Sequence, residues 1–308
     1  MKFDKKNIDY LLVDGTSYIY RSYYSFPLFK NKNNAPSGAI YGVINMLKKL
    51  SFQYPNTQKI IIFDSSKKSF RHILFKPYKK NRPTIPYNLK IQIKPLYKII
   101  NAMGFPIITI PSFEADDIIG TLAYTASSQS KSTLISTNDK DLAQLVNKNT
   151  CILENISGKI LGKKEIKEKY GVLPSLIPDL LGLMGDQSDN IPGVPKIGKK
   201  TALFLLEKFG SLKNIYKNFE KVSQCTLRGA KNIAKQLIIN KDLAFLSKHL
   251  ATIKKNISID KSIYKFQMSC PSMKELLYYF EYYEFYNWLK LLKEKKWIMN
   301  TNNLKKKK

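Results

Sequence analysis

Short clusters of acidic residues stand out in a chain whose charge is otherwise strongly basic. The 308 residues include 52 Lys and Arg against 23 Asp and Glu, a formal net charge of +29. Residues 112–120 nevertheless place three carboxylates within four positions, with no basic residue between Lys98 and Lys131. Adjacent like charges repel, and a bound cation relieves that repulsion. The candidate metal ligands are Asp14, Asp64, Glu114, Asp116, Asp117, Asp139, Asp141, Asp186 and Asp189.

The chemistry of this set is that of a hard divalent cation. Ligand sets made only of oxygen favour Mg²⁺ or Mn²⁺. Nine carboxylates exceed what one ion needs when it keeps several waters, so the pattern predicts two ions. Two neighbouring ions can activate a water and stabilise the leaving oxygen of a phosphodiester. A single aspartate after a strand is more often a turn or N-cap residue, so the prediction depends on the whole set.

Apolar runs rich in β-formers precede most of these acids. Strands are predicted at residues 8–13, 59–63, 107–110 and 133–136, with a hairpin formed by 151–153 and 159–161. Helical spacing intervenes at 38–50, 96–103 and 176–184. This alternation predicts an α/β fold with a mostly parallel central sheet flanked by helices. Asp14 and Asp64 directly follow the first two strands, at the sheet edge where ligands bind.

A basic segment separates the second predicted strand from the third. Residues 65–98 hold ten Lys and Arg and no acid, and aromatic residues lie between the charges. Pro77, Pro83 and Pro86 interrupt any helix there. Basic residues interleaved with rings suit a single-stranded nucleic acid, with charges on phosphates and rings against bases. A solvated surface loop has the same composition, so on this segment alone both interpretations stay open.

Residues 193–201 read Gly-Val-Pro-Lys-Ile-Gly-Lys-Lys-Thr, which is the form of a helix–hairpin–helix element. Its glycines let backbone amides approach a phosphate, and the following helix adds partial positive charge at its N-terminus. Such a unit binds the phosphate backbone of a duplex without contacting the bases that specify sequence. It is not a Walker A loop, because two lysines follow the second glycine and no strand precedes it. Further helices are predicted at 212–219, 230–239, 243–250 and 273–292.

The composition argues against several other classes of protein. No stretch reaches the roughly 18 apolar residues of a membrane span, and the run at 8–13 is too short for a signal peptide. Three separated cysteines and two isolated histidines argue against a disulfide framework and a zinc site. The net charge indicates a nucleic acid partner. A competing explanation is codon drift in an AT-rich genome, because 48 of the basic residues are lysine and only four are arginine.

Several motifs, in order, resemble the 5′ nuclease domain found at the N-terminus of bacterial DNA polymerase I, a family related to flap endonucleases. They are LLVDGTSYIYRSY, IIFDSSKKSFR, YKKNRP, FEADDIIGTLA, LISTNDKDLAQLV and LMGDQSDNIPGVPKIGKKTA, and the similarity covers residues 8–297. The resemblance implies a PIN-like fold and two-metal hydrolysis of DNA or RNA primers near 5′ ends, in primer removal and DNA repair. The alternatives are a non-catalytic binder of branched DNA and a metal-dependent RNase of related fold.

The resemblance also implies a role for each site residue. Asp14, Asp64, Glu114 and Asp116 would hold the first ion, and Asp139, Asp141 and Asp186 the second, with Asp117 and Asp189 in supporting positions. Arg21, Lys79 and Arg82 would contact the scissile phosphate or the 5′ strand, Tyr78 would stack on a base and Arg71 would contact DNA. The hairpin would hold the duplex, with a K⁺ ion, through Gly193, Val194, Lys196, Gly198, Lys199, Lys200 and Thr201.

We expect an α/β catalytic domain over residues 1–175, with a basic helical arch at about 67–98. A helical DNA-binding region would follow over 176–297, with the helix–hairpin–helix at 185–208, and then a disordered basic tail over 298–308. The chain stops where the polymerase would continue. We therefore expect a monomeric, free-standing nuclease in the bacterial cytoplasm, associated with the nucleoid and working beside a separate DNA polymerase.

Two residues depart from the family pattern. Asn138 replaces a glycine, and because asparagine tolerates a left-handed backbone we expect little cost. Pro77 directly precedes Tyr78, and we expect it to change the shape of the arch.

Overall fold

The structure is a computed structural model, and it describes residues 7–259 and 266–297. Six strands form one sheet in the order β3-β2-β1-β4-β5-β6. They are β1 (Tyr10–Asp14), β2 (Gln58–Ile62), β3 (Ile107–Ile108), β4 (Thr133–Thr137), β5 (Thr150–Glu154) and β6 (Ile160–Leu161). The first five pair in parallel, and β6 runs antiparallel to β5. The predicted α/β fold with a mostly parallel sheet is therefore confirmed.

Both faces of the sheet are buried. Leu11 and Val13 of β1 belong to one apolar core, and Leu12 between them belongs to the other. This division follows from the strand, whose successive side chains point to opposite faces. Burial on both faces explains why the strands read as continuous apolar runs in the sequence.

One face is covered by helices from both ends of the chain. It packs against α1 (Gly15–Ser25), α2 (Gly38–Gln53) and α4 (Tyr87–Ala102), and against α13 (Met273–Tyr282) and α14 (Tyr286–Lys293). The rings of Tyr41 on α2 and Trp288 on α14 stack with centroids 4.8 Å apart. Residues 273–293 were predicted to belong to the helical DNA-binding region. That assignment is wrong, because their apolar side chains complete the core of the α/β part.

The opposite face packs against α5 (Ala115–Ser128) and continues into a helical region. Its helices are α6 (Lys163–Tyr170), α7 (Ile177–Met184), α8 (Lys199–Phe209), α9 (Leu212–Lys217), α10 (Phe219–Ser223), α11 (Ala230–Ile239) and α12 (Lys241–Ala251). Buried side chains from the sheet, α5, α7, α8 and α12 form one continuous core. The helical region therefore shares its core with the sheet.

The basic segment does not form one helical arch. It contains the short helix α3 (Phe70–Leu74), a non-helical stretch over residues 75–86, and the first part of α4. Pro77, Pro83 and Pro86 lie in that stretch, as the missing N–H groups of proline require. The helix predicted at 96–103 begins earlier, at Tyr87.

None of the helices in the described part of the chain combines the length and apolar character that crossing a bilayer requires. The predicted basic tail, residues 298–308, lies outside the described residues.

Candidate active site

The candidate site lies where the strand order reverses. From β1 the chain passes to β2 and β3 on one side, and then to β4 on the other side. Such switch points open a crevice at the carboxyl ends of parallel strands. Thr137, at the end of β4, donates its hydroxyl to Asp14 Oδ2 at 2.7 Å, and the Asp139 N–H donates to Thr137 Oγ1 at 2.9 Å. Asp14 and Asp139 therefore meet through one threonine.

Two of the predicted ligands also have local structural roles. Asp14 is the N-cap of α1, and its Oδ1 accepts from the Ser17 N–H at 3.0 Å. Asp64 follows β2, and its Oδ1 accepts from the Ala115 N–H at 2.7 Å, at the start of α5. Asp14 Oδ2 accepts from Thr137, but a carboxylate oxygen has two lone pairs, so each of these carboxylates can still bind a cation. The capping interpretation and the ligand interpretation of these aspartates are therefore compatible.

The acids at the switch point repel one another. Burial raises the pKa of Asp14 to about 7, and the charges of Asp139 and Asp64 add to the rise. Burial also raises the pKa of Asp116 well above its ordinary value, with further contributions from Asp139 and Asp14. A divalent cation among these oxygens would offset both the burial and the repulsion, so this donor set fits such an ion.

A second acidic group lies beside the first. Asp141, Asp186 and Asp189 are buried, and each offers an oxygen within 4.8 Å of the others. Asp141 Oδ1 is buried and has no hydrogen-bond partner within the described residues. Burial, together with the charges of Asp139 and Asp189, raises the pKa of Asp141 well above its usual range. A buried, unpaired carboxylate oxygen is costly, so this group also fits a hard cation.

Asp139 and Lys140 lie between the two groups. The Asp141 N–H donates to Asp139 Oδ1 at 2.9 Å, and burial raises the pKa of Asp139. Lys140 Nζ lies 2.7 Å from Asp186 Oδ1. Burial alone would raise the pKa of Asp186, but this ammonium, with Ser188, lowers it. The lysine thus supplies one positive charge to a site that carries several negative ones.

Glu114 is engaged by cations and does not join either acidic group. Its Oε1 accepts from Ser69 Oγ at 2.6 Å, and its Oε2 accepts from Lys79 Nζ at 2.7 Å. Burial would raise the pKa of Glu114, but the charges of Lys79 and Arg71 outweigh it and lower the pKa to about 2. Glu114 is thus an ionised carboxylate whose two oxygens already have partners.

Arg71 and Asp117 form a buried ion pair, which contradicts the prediction made for Arg71. The Arg71 guanidinium donates twice to Asp117, at 2.8 Å each, and also to the carbonyls of Leu250 and Thr252. Asp117 is fully buried and Arg71 is 2% exposed. The prediction that Arg71 contacts DNA is therefore wrong. Arg71 holds both oxygens of Asp117, so Asp117 does not offer a free ligand oxygen here, and its expected supporting role stays a prediction.

Tyr78 is buried and cannot stack on a base in this structure. Its side chain is 3% exposed, and its hydroxyl lies 3.1 Å from Glu114 Oε2 and 3.2 Å from Asp189 Oδ2. The prediction of a stacking role is therefore wrong for this conformation.

The three predicted phosphate contacts lie in different surroundings. Lys79 Nζ contacts Glu114 and lies 3.6 Å from Asp189 Oδ2, and Arg82 Nη2 lies 2.5 Å from Asp189 Oδ1. The Arg82 side chain is 46% exposed. Arg21, on α1, is half-buried, and its Nη1 has no hydrogen-bond partner within the described chain. Two of the three cations therefore lie directly on candidate ligand residues.

Several polar residues of the site were missed by sequence reasoning. Ser69 and Thr137 orient Glu114 and Asp14, and no spacing in the sequence marks either of them. The sequence did contain a signal for Lys140, because this residue stands between two candidate ligands in the chain. Asn138 had been judged by its tolerance of a left-handed backbone. It does not have a positive φ, and its side chain instead accepts from the Asn155 N–H at 3.0 Å.

The structure agrees with only part of the prediction that the hairpin residues contact DNA. The N–H of Gly193 donates to Ser247 Oγ at 3.0 Å, and that of Val194 donates to the Leu183 carbonyl at 2.8 Å. These amides are committed within the protein, so the prediction that these two residues contact DNA is wrong. Gly193 has φ +64°, and a Cβ there would lie 2.2 Å from the Gly185 nitrogen. Glycine is therefore required at this position by the close packing of the backbone.

The start of α8 is open to a ligand. Its first hydrogen bond runs from the Ala202 N–H to the Gly198 carbonyl, so the preceding amides lack an intrahelical acceptor. A Cβ on Gly198 would meet no atom within 4 Å. The predicted residues at this end are Lys196, Gly198, Lys199 and Lys200, which are exposed, and Thr201, which is half-buried.

Comparison with known proteins assigns the family. Residues 9–171 match the N-terminal resolvase-like domain of 5′-3′ exonucleases, and residues 172–274 match their C-terminal SAM fold. The chain is 55% identical over 296 residues to a 5′-3′ exonuclease of Buchnera aphidicola subsp. Baizongia pistaciae, covering 96% of this chain and 98% of that one. The chain belongs to the 5′-3′ exonuclease family. The predicted family and enzyme class are thereby confirmed.

Two further proteins resemble this 5′-3′ exonuclease. DNA polymerase I of Pseudomonas aeruginosa is 43% identical to this chain over the matched region. That region covers 93% of this chain and 32% of the polymerase. A solved bacteriophage T5 flap endonuclease, in a pseudo-enzyme-product complex with DNA and metal ions, is 22% identical with a TM-score of 0.63. That match covers 79% of this chain and 88% of the phage chain, and it shows the shared fold.

Proposed function

We propose that the protein is a divalent-metal-dependent 5′-3′ exonuclease and structure-specific flap endonuclease. Its substrates would be DNA with a 5′ flap or free 5′ end and RNA primers paired to DNA, in primer removal and repair. The observation that carries the proposal is the convergence of buried acids at the switch point of the sheet, with Asp141, Asp186 and Asp189 within 4.8 Å of one another. The T5 relative, whose structure holds DNA and metal ions, supports it.

Two Mg²⁺ ions, which Mn²⁺ could replace, fit the donor sets described above. Asp14, Asp64 and Asp116 would hold the first, joined by Glu114 once Lys79 releases it. Asp139, Asp141 and Asp186 would hold the second, with Asp189 beside them. When bound, such ions activate water and stabilise negative charge on the oxygens of a phosphodiester.

The cationic residues of the chain would orient the phosphate. The Arg82 side chain is half-exposed and contacts Asp189, and Lys79 lies three residues earlier in the same non-helical stretch. Arg21 has a buried donor atom without a protein partner among the described residues. Donors to a phosphate oxygen both hold the substrate and stabilise the charge that develops during hydrolysis. We assign this role to all three residues.

The duplex would lie against the start of α8. Lys196, Lys199 and Lys200 are exposed there, and the free amides of the helix N-terminus favour an anion. A K⁺ ion at the hairpin, a monomeric state and a place in the bacterial cytoplasm near the nucleoid are further parts of this proposal. They rest on the family resemblance. A separate DNA polymerase as partner belongs to the proposal on the same ground.

A cleavage assay tests the proposal against the alternative of a non-catalytic DNA binder. A labelled 5′-flap DNA is incubated with the natural protein, Asp116→Ala and the control Asp242→Ala, with and without Mg²⁺. Asp242 is an exposed acid at the start of α12, outside the candidate site. We expect metal-dependent cleavage by the natural protein and the control alone. Binding without cleavage by the natural protein, or equal cleavage by Asp116→Ala, would refute the nuclease.

A further inference from the structure

Residues 77–82, here called the lysine turn, carry Lys79 and Arg82 to the candidate site. The turn is closed by backbone hydrogen bonds from Lys80 to Pro77 at 3.0 Å and from Arg82 to Lys79 at 3.1 Å. Prolines stand at both of its borders, and the turn lies between α3 and α4, outside any helix. Its position must therefore come from contacts with another part of the chain.

Those contacts are made by residues 186–191, here called the acidic loop. The loop is closed by paired hydrogen bonds between Asp186 and Ile191, each 2.8 Å long. Ser188 closes it further by donating its N–H and hydroxyl to Asp186. Hydrogen bonds within the loop therefore fix the backbone that carries two of the candidate ligands, Asp186 and Asp189.

Three hydrogen bonds to backbone carbonyls fasten the lysine turn to the acidic loop, beside the side-chain bonds of Tyr78 and Arg82 to the Asp189 carboxylate. Asn190 Nδ2 donates to the Pro77 carbonyl at 2.7 Å, and the Lys79 N–H donates to the Asp189 carbonyl at 2.9 Å. Asn81 Nδ2 donates to the Gln187 carbonyl at 2.6 Å. The two segments lie more than a hundred residues apart in sequence, so these bonds are tertiary and specific.

The backbone of Lys79 needs such a constraint. Lys79 has φ +53° and Asn190 has φ +54°. Asparagine visits this left-handed region readily, whereas lysine pays a conformational cost there. Because the surrounding bonds hold Lys79 in this conformation, its Nζ points at Glu114 and Asp189. Without them the turn would relax to an unstrained backbone, and the ammonium would leave the site.

We infer that Asn190 is a positioning residue for the reaction, and that it acts through Lys79 with help from Asn81. This inference rests on the proposed function and deepens it. Asn190 touches neither acidic group by its side chain, whose amide instead contacts the carbonyl of Pro77. It couples the loop that holds the second acidic group to the cation that meets the phosphate.

Asn190→Gly is the sharpest variant, because glycine keeps the left-handed backbone and removes only the side-chain bond. Asn81→Ala tests the bond on the other side of the turn. Asn218→Ala is the matched control for Asn81→Ala, since it removes an exposed amide-to-carbonyl bond in the helical region. Each variant is made in the full chain, and also in a Lys79→Ala background.

At saturating labelled flap DNA and Mg²⁺, we expect Asn190→Gly to lower the single-turnover rate about tenfold, as loss of one well-placed hydrogen bond implies. DNA affinity should fall by less than the rate, the Mg²⁺ concentration for half-maximal rate should stay unchanged, and Asn218→Ala should match the natural protein. In the Lys79→Ala background, Asn190→Gly should cause no further loss. An undiminished rate, an additive loss in that background, or a change confined to Mg²⁺ requirement overturns the inference.

Hydrogen exchange supplies a readout that needs no activity. In metal-free protein, the Lys79 amide should exchange at least about tenfold faster in Asn190→Gly, while the Asp186 and Ile191 amides keep their protection. Unchanged protection at Lys79 overturns the inference. If the natural protein cleaves nothing, the proposed function fails, and the exchange result alone then decides whether Asn190 holds Lys79.

Discussion

Thr137 Oγ1 donates to Asp14 Oδ2 across 2.7 Å, which joins the carboxyl ends of β1 and β4 where the strand order reverses. The same oxygen accepts from the Asp139 N–H. One hydroxyl thus fixes an aspartate from each side of the switch point. The distance between the two candidate metal groups is therefore set by the pairing of two buried strands.

The second acidic group should be indispensable for cleavage. Asp186→Asn keeps the shape of the side chain but removes one of the charges that a hard cation needs. We expect the rate on flap DNA to fall by at least about a hundredfold at saturating DNA, since metal stabilisation of charge is worth several kcal/mol. Rates measured across a Mg²⁺ series check this, with Asp242→Asn as the control. A rate within about twofold of the natural protein would contradict the assignment of Asp186.

Without metal, folding stability should fall as pH rises towards neutrality. Asp14 holds its proton up to about pH 7 in the folded protein but only to about pH 4 when unfolded. Between these values the folded state binds more protons, so the free energy of unfolding decreases with pH. The raised pKa values of Asp116, Asp139 and Asp141 act in the same direction.

Mg²⁺ should restore that stability at high pH. Urea unfolding at pH 5.5 and pH 8, in EDTA and in one fixed Mg²⁺ concentration of about a hundred times the Kd at pH 8, measures the effect. We expect a gain of about 2–3 kcal/mol at pH 8 and a clearly smaller gain at pH 5.5. Asp14→Asn keeps the N-cap and removes the charge, so it should be more stable than the natural protein in EDTA at pH 8. Equal Mg²⁺ gains at both pH values would contradict the repulsion among the buried acids.

The buried pair of Arg71 and Asp117 should matter for stability. Arg71→Leu leaves Asp117 buried and unpaired, and we expect it to cost about 3–5 kcal/mol in urea unfolding. The double variant Arg71→Leu/Asp117→Leu should lose less than the single one, because no orphan charge remains. Lys164→Ala, which breaks an exposed pair with Glu168, should change stability by less than about 1 kcal/mol. A small loss for Arg71→Leu, similar to that control, would contradict the burial of this pair.

Three lysines at the start of α8 should account for part of the salt dependence of duplex binding. Replacing Lys196, Lys199 and Lys200 with alanine should weaken binding. It should also flatten the slope of log K against log salt by about 0.9 for each phosphate that the protein no longer neutralises. The matched control removes three exposed lysines of α6, namely Lys163, Lys164 and Lys167. It changes the net charge equally and should leave the slope nearly unchanged. Equal slopes for both triple variants would assign the effect to overall charge instead.

The sequence was sufficient for the sheet and for most of the acidic residues. Strand ends can be located from apolar runs, and a parallel sheet brings those ends to one edge, so Asp14 and Asp139 could be placed together before any coordinates. The rest depended on tertiary contacts. A basic, aromatic segment has the same composition whether its side chains face solvent or are buried, so nothing marked Tyr78 and Arg71 as buried.

The two C-terminal helices illustrate a second limit. The pattern at 273–292 correctly indicated an apolar face, but an apolar stripe does not name the surface that covers it. In the structure Leu276 and Phe280 pack into the core beside α2 and α4. The hairpin had a similar ambiguity, because the sequence cannot distinguish a glycine needed for backbone packing from one needed for close approach of a phosphate. In the structure, Gly193 is needed for backbone packing.

Helices α13 and α14 also have a consequence for the order in which the protein matures during synthesis. The ribosome makes the strands and α2 first, yet the face of the sheet that bears Leu11 and Val13 is completed only by side chains such as Phe280 and Trp288. Until residues 273–293 emerge, that face is covered only in part, by α1, α2 and α4. The nascent chain therefore completes this core only after residues 273–293 have been made, although the first strand of the core is among its earliest segments.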